Sequence, residues 1–158
     1  MMRFISCSLL LACLVGCAAP GAGTVGNFSD APAPVQQQLA DASVKQLVLL
    51  HPPGNTRFTL QQAASDAFGQ PLVAGLRASG YALEDFKPAS GAAVAAATPA
   101  SAAAALPAPG TPLGYVLDQA AGPGLYRVSL LVGSQTLTRV FQAHDGQLVP
   151  AGAWVRKE

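Results

Sequence analysis

Residues 88–110 cut the chain into two foldable pieces. Twelve of these 23 positions are Ala, none is charged, and Gly91, Pro99, Pro107 and Pro109 interrupt any helix that Ala would favour. No apolar stripe gives the segment a packing face, so it reads as a disordered Ala/Pro-rich insertion. What remains for a core is about 100 residues, Pro34 to Lys87 and Thr111 to Glu158. That is enough for one two-layer domain and too little for a deep cofactor pocket.

The apolar content of 51% overstates the core, because 31 of the 158 residues are Ala and aromatic residues make up 6%. Charged residues make up 11%, well under the globular norm of about 25%. With 9 basic and 8 acidic side chains there is no field to recruit nucleic acid, and no direct nucleic-acid contact is expected.

The first piece reads as α/β. Pro34 to Leu50 predicts a helix, with Ala40, Val44, Leu47 and Val48 on its inner stripe and Gln36, Gln37, Asp41 and Lys45 facing water. His51-Pro52-Pro53-Gly54 stops it. Thr56 to Leu60 alternates and predicts a strand burying Phe58 and Leu60. A second helix follows, capped by Ser65 and spanning roughly Asp66 to Ser79; Pro71 fits that start poorly, so either the helix begins nearer Gly69 or its first turn is distorted. Phe68, Leu72, Val73 and Leu76 form its buried stripe, Gly80 its C-cap and Tyr81 to Glu84 the next strand. Strand, helix, strand is a βαβ unit with parallel strands.

The second piece reads as an antiparallel meander. Its strands are Gly114 to Asp118, Leu125 to Val132, Thr136 to Ala143 and a closing Gln147 to Val155, with a hairpin at Asp145-Gly146 and Pro150 at an edge or bulge. Tyr126, Val128, Leu130 and Val132 share one face of the clearest strand. Arg139 falls between Leu137 and Phe141 on an otherwise apolar face. The expected architecture is α+β: a small two-layer domain, a βαβ unit followed by the meander, with helices on one face of a mixed sheet.

Reaction chemistry finds little support. His51 and His144 are the only imidazoles; neither has a second ligand at metal spacing, and both read as solvated turn residues. Ser129, His144 and Asp145 contain the residue types of a triad, but no nucleophile elbow accompanies them. Gly21 to Gly26 spells G-x-G-x-x-G without a strand before it, which fits a spacer. Trp154 and Tyr126 read as core residues or interface anchors. No catalytic, cofactor or metal residue is expected, and the chain reads as a non-enzyme; a small hydrolase is the competing class.

The N-terminus is more informative. Arg3 precedes an apolar run, Phe4 to Val15, of twelve residues, too short for a spanning helix of about 20. The run ends in Leu14-Val15-Gly16-Cys17, which resembles the bacterial lipobox. In that pattern the Cys thiol is the nucleophile that takes a diacylglycerol, and the small residue before it fits the signal peptidase. Residues 1–16 are therefore expected to be a lipoprotein signal peptide, Cys17 the lipid attachment site, and 17–33 a flexible Gly/Ala/Pro tether to a single domain at 34–158. All three Cys lie within the first 17 residues, so a disulfide framework in the domain is excluded. Ala18, rather than Asp, follows the Cys. By resemblance to sorted Gram-negative lipoproteins, this implies an outer-membrane anchor facing the periplasm.

The chain from Gly26 onward resembles the conjugal-transfer lipoprotein TrbH family. The stretches that carry the likeness are GNFSDAPAPVQQQLADASVKQL, HPPGNTRFTLQQ and DAFGQPLVAGLRASGYAL, then PLGYVLDQA, LYRVSLLVGSQTLTRVF and the ending AGAWVRKE. The resemblance implies a structural part of the mating-pair-formation apparatus, a type IV secretion channel that moves plasmid DNA, with protein components of that channel as partners. It carries over no catalytic residue, only Cys17. The competing reading is a general outer-membrane lipoprotein that docks or regulates a periplasmic envelope enzyme or peptidoglycan.

Overall fold

The structure, a computed structural model, describes residues 25–88 and 110–158. The signal segment, Cys17, the tether up to residue 24 and the insertion at 89–109 lie outside the described residues.

The elements run β1 (Gly26–Asn27), α1 (Ala33–Leu50), β2 (Arg57–Leu60), α2 (Gly69–Ala78), β3 (Ala82–Glu84), β4 (Thr111–Gln119), β5 (Leu125–Val132), β6 (Gln135–His144), β7 (Gln147–Pro150) and β8 (Val155–Lys157), with a 3-10 turn at Pro53–Asn55. The fold is α+β. All eight strands form one mixed sheet in the order β3-β2-β4-β5-β6-β7, with β1 also beside β4 and β8 also beside β6. β2 pairs in parallel with β3, giving the expected βαβ unit, and with β4 at Thr111 to Leu113. β4, β5 and β6 form the expected meander.

Helix α1 begins where prolines suit it. Pro34 lies in the first turn, where its missing amide hydrogen has no helical acceptor to serve. Its buried face is Val35, Gln36, Leu39, Ala40, Ser43, Val44 and Leu47. The expected stripe is thus shifted: Val48 is half-buried, and Gln36, expected in water, is 7% exposed. The cause is a pair of neighbours just before the helix, outside its own periodicity. Asn27 on β1 donates to Gln36 Oε1 at 2.6 Å, and Gln36 Nε2 donates to the Ala31 carbonyl at 2.6 Å. A buried amide with both ends bonded carries little of the usual penalty.

Helix α2 starts at Gly69, and its cap is Asp66, not Ser65. Asp66 Oδ1 accepts from the amides of Phe68 and Gly69 at 3.0 and 2.9 Å. The later start leaves Pro71 in the first turn, where it fits. The helix ends as expected: Gly80 sits at φ 89°, and the Tyr81 amide reaches back to the Leu76 carbonyl at 3.1 Å.

The two helices pack against each other and on the same face of the sheet. Phe58, Phe68, Leu72, Leu76, Leu113, Tyr115, Leu117, Leu130, Leu137 and Phe141 fill the space between. Each such side chain contributes about 1.5–3 kcal/mol by burial. Helix α1 crosses α2 closely at Gly75, where a Cβ would lie 2.9 Å from Val44 Cγ2.

Two segments differ from expectation. The tether expected over 17–33 gives way to folded chain over its second half. Gly26 and Asn27 pair in parallel with Val116 and Leu117, filling the edge of β4 just beyond the end of β2, and Ala31 is buried. A two-residue strand shows no periodicity, and its partners are remote. The closing strand expected over Gln147 to Val155 is instead two, β7 and β8, both antiparallel to β6 and separated by a bend at 151–154. Pro150 ends β7 on this outer edge, where a missing amide hydrogen leaves no ladder bond unmade.

Candidate functional site

Cys17 lies outside the described residues, so the structure bears on the anchor only through the place where the chain enters the domain. That entry is clamped. Asn27 Nδ2 donates to Gln36 Oε1 on α1 and, at 3.1 Å, to Asp66 Oδ1 before α2. Its own carbonyl oxygen accepts from the Ser29 amide and hydroxyl. The Tyr115 hydroxyl on β4 donates to the second Asp66 oxygen, and the Phe28 amide to the Leu117 carbonyl at 2.7 Å. Burial alone pushes the Asp66 carboxyl up. The hydrogen bonds from Tyr115, Gly69, Phe68 and Asn27 outweigh that and hold it below its ordinary value. Burial, reinforced by the Asp66 charge, pushes the Tyr115 phenol far up. Both oxygens of the carboxylate are occupied, so the group is a fastener between β1, α1, α2 and β4.

Sequence reasoning missed this clamp. Asp66 followed by Gly69 carries a capping signal, but nothing local links it to Asn27 or to Tyr115, 49 positions away.

The two histidines behave differently. His144 lies in the hairpin as expected, exposed and 3.1 Å from Asp145. His51 is not a solvated turn residue. Its ring packs edge-on to Phe58 with centroids 6.1 Å apart, and its Nε2 is buried without a hydrogen-bond partner. Burial, then the charge of Arg156, lowers its pKa. The structure does not assemble Ser129, His144 and Asp145. Ser129 faces Thr138 across the ladder, with their hydroxyls 3.1 Å apart. His144 is six residues farther along β6, about 20 Å away.

Arg139 points to the helix-side face and is accounted for by the bend at 151–154. Its Nε donates to the Gly152 carbonyl at 2.7 Å, and its guanidinium lies 5.3 Å from the Phe141 ring and 5.9 Å from Trp154. It therefore fixes the link between β7 and β8. Tyr126 is buried and Trp154 half-buried against the core.

Two surfaces remain. A shallow groove of about 340 Å³ lies between β2 and α2. Leu60, Val73 and Ala74 line its floor, and the Arg77–Asp85 ion pair lines its rim beside Phe86. The larger surface is the open face of the sheet. The outward residues of β4, β5 and β6 are Val116, Asp118, Leu125, Arg127, Ser129, Leu131, Thr138 and Val140, with small or polar neighbours. At its margins Phe28, Val149 and Val155 are 56%, 53% and 64% exposed.

Among the described residues no group of His, Cys, Asp and Glu could hold a metal ion. No described helix is long and apolar enough to cross a membrane. Residues 22–158 match the family model described as "Conjugal transfer protein TrbH". No curated protein and no solved structure matches.

Proposed function

The chain belongs to the TrbH family of conjugal transfer proteins, and from that premise we propose that it is a lipid-anchored structural component of the mating-pair-formation apparatus. It is held to the outer membrane through Cys17 and faces the periplasm. Its role is assembly rather than catalysis, and its partners are protein components of the secretion channel.

The observation that carries this reading is the lipobox Leu14-Val15-Gly16-Cys17 at the end of a short apolar run, in a chain of a conjugal transfer family. The domain's construction supports it. Only seven residues separate Cys17 from Val25, where the described fold begins, a reach of at most roughly 28 Å. The clamp at Asn27 passes any pull on that connector into both helices and the central strand. A domain held so near a membrane meets membrane-bound partners at a local concentration on the order of millimolar.

The test exports residues 18–158 behind a cleavable non-lipid signal in cells whose own copy is deleted. Plasmid transfer is expected to fall well below that of the lipidated protein at matched expression, with the domain still folded by circular dichroism. Fatty-acid labelling is expected to mark the full chain and not Cys17→Ser. Full transfer from the soluble form would make the anchor incidental. Unchanged transfer on deleting the gene would favour a general envelope lipoprotein.

A further inference from the structure

The helices cover one face of the sheet, and no described residue covers the other. That open face is built unlike a wetted one. Over the outward positions of residues 112–118, 125–131 and 136–142, the charged side chains are Asp118 and Arg127. These two neutralise each other in a two-pronged pair, with Arg127 Nε 2.9 Å from Asp118 Oδ1. No lysine interrupts the face in its centre, although exposed sheets commonly use lysine to discourage association.

We propose that this face is the interface between two copies of the chain, apposed about a two-fold axis along β5. Each Phe28 then packs between Val149 and Val155 of the other copy. The placement follows from the register. β1 lies two strand positions to one side of β5, and β7 and β8 lie two positions to the other. A two-fold axis along β5 therefore carries each flank onto the other. Phe28 stands level with Asp118, because its amide bonds the Leu117 carbonyl. Asp118 is level with Arg127 and Val140, and Val140 with Ala151, which lies between Val149 and Val155. The most exposed apolar side chain of one flank thus meets the two most exposed of the other.

Charge and size both permit this. The central ion pair carries its own counter-charge, so the middle of the interface brings no net charge together, and Lys157, outward on β8 beside Thr136, lies at its margin. Five strand positions of about seven residues span roughly 24 by 23 Å. The two faces together bury about 1,100 Å², above chance contacts at about 800 Å² and close to the lower bound of stable interfaces.

The test uses the full chain in cells. One copy carries Phe28→Cys and a differently tagged copy carries Val149→Cys or Val155→Cys, joined by a thiol cross-linker of about 10 Å, the usual separation of packed sheets. The wild-type chain sets the background from its own Cys. Mixed adducts are expected for both pairings, several-fold above those of Gln37→Cys on the exposed side of α1. Phe28→Cys paired with itself should stay near background, since the axis keeps like flanks apart. Phe28→Glu in one copy, measured through Ser129→Cys in both copies, which the axis brings face to face, should reduce adducts about tenfold, as for a central anchor residue. Reactive thiols without mixed adducts would overturn the proposal, as would thiols shielded from maleimide without adducts, which would mean that another occupant covers the face. Equal adducts from like flanks would overturn the stated axis.

Discussion

At the residue scale the pH dependence of the fold rests on two ionisable groups whose pKa values folding lowers. His51 is held neutral because its Nε2 is buried without a partner and Arg156 adds unfavourable charge. Its folded pKa lies below 6.5, so below about pH 6.5 the unfolded chain takes up the proton first and stability falls. Asp66 is held ionised. Its contribution is present above the ordinary carboxylate range and is lost as pH falls through its depressed folded value. Stability should therefore fall with acid in two pH windows, and His51→Phe should flatten the first when denaturant midpoints are followed against pH. Asp66→Ala should cost about 2 kcal/mol or more, because it removes the cap of α2, strands the Tyr115 hydroxyl and takes one of the two acceptors of the Asn27 amide. In a double-mutant cycle with Tyr115→Phe the two losses should add to less than their sum. Gly69→Ala should be severe for its size, about 1–3 kcal/mol in urea unfolding. A Cβ there would meet the Tyr115 hydroxyl and lie 2.8 Å from the Ala64 backbone.

At the element scale, what repeats locally was readable and what pairs remotely was not. The alternation of Leu125 to Val132 and the stripe Phe68, Leu72, Val73, Leu76 are patterns of period 2 and 3.6, and the structure buries those residues. β1 has two residues and hence no period; its existence depends on Val116 and Leu117. The same remoteness hid the clamp around Asp66, while Gln36 was missed because its partners, Asn27 and Ala31, lie before the helix and outside its period. Arg139 looked misplaced because its partners, the Gly152 carbonyl and Trp154, come from a bend that alternation does not reveal. The proposal for Cys17, by contrast, rests on sequence alone, since a lipobox is a local chemical pattern. The register also sets what the insertion must span. Glu84 and Pro112 both stand level with Thr59, so the ends of the 89–109 segment leave from strands about 10 Å apart. Replacing 89–109 with a short Gly/Ser loop should leave the thermal midpoint nearly unchanged, because loop closure costs only about 0.6 kcal/mol per doubling of length. Loss of cooperative unfolding would show that the segment packs.

At the scale of the whole molecule, the proposed membrane tether would join the domain at one short strand, β1. If partner encounter is governed by local concentration, adding 14 Gly/Ser residues between Cys17 and Val25 should lower that concentration roughly fivefold. Plasmid transfer should then fall by less than it does on detaching the domain altogether. An abrupt loss on lengthening would point instead to a contact that needs a fixed height above the membrane. β1 also has a consequence for the order in which the chain matures. Synthesis delivers Gly26 early, yet its ladder partner Val116 arrives roughly 90 residues later. Until then the first strand has nothing to pair with, while α1 and the βαβ unit can already begin to condense. The segment beside Val25 therefore cannot lock before β4 has emerged, and until then the stretch around Cys17 would stay accessible to the enzymes of the proposed lipidation.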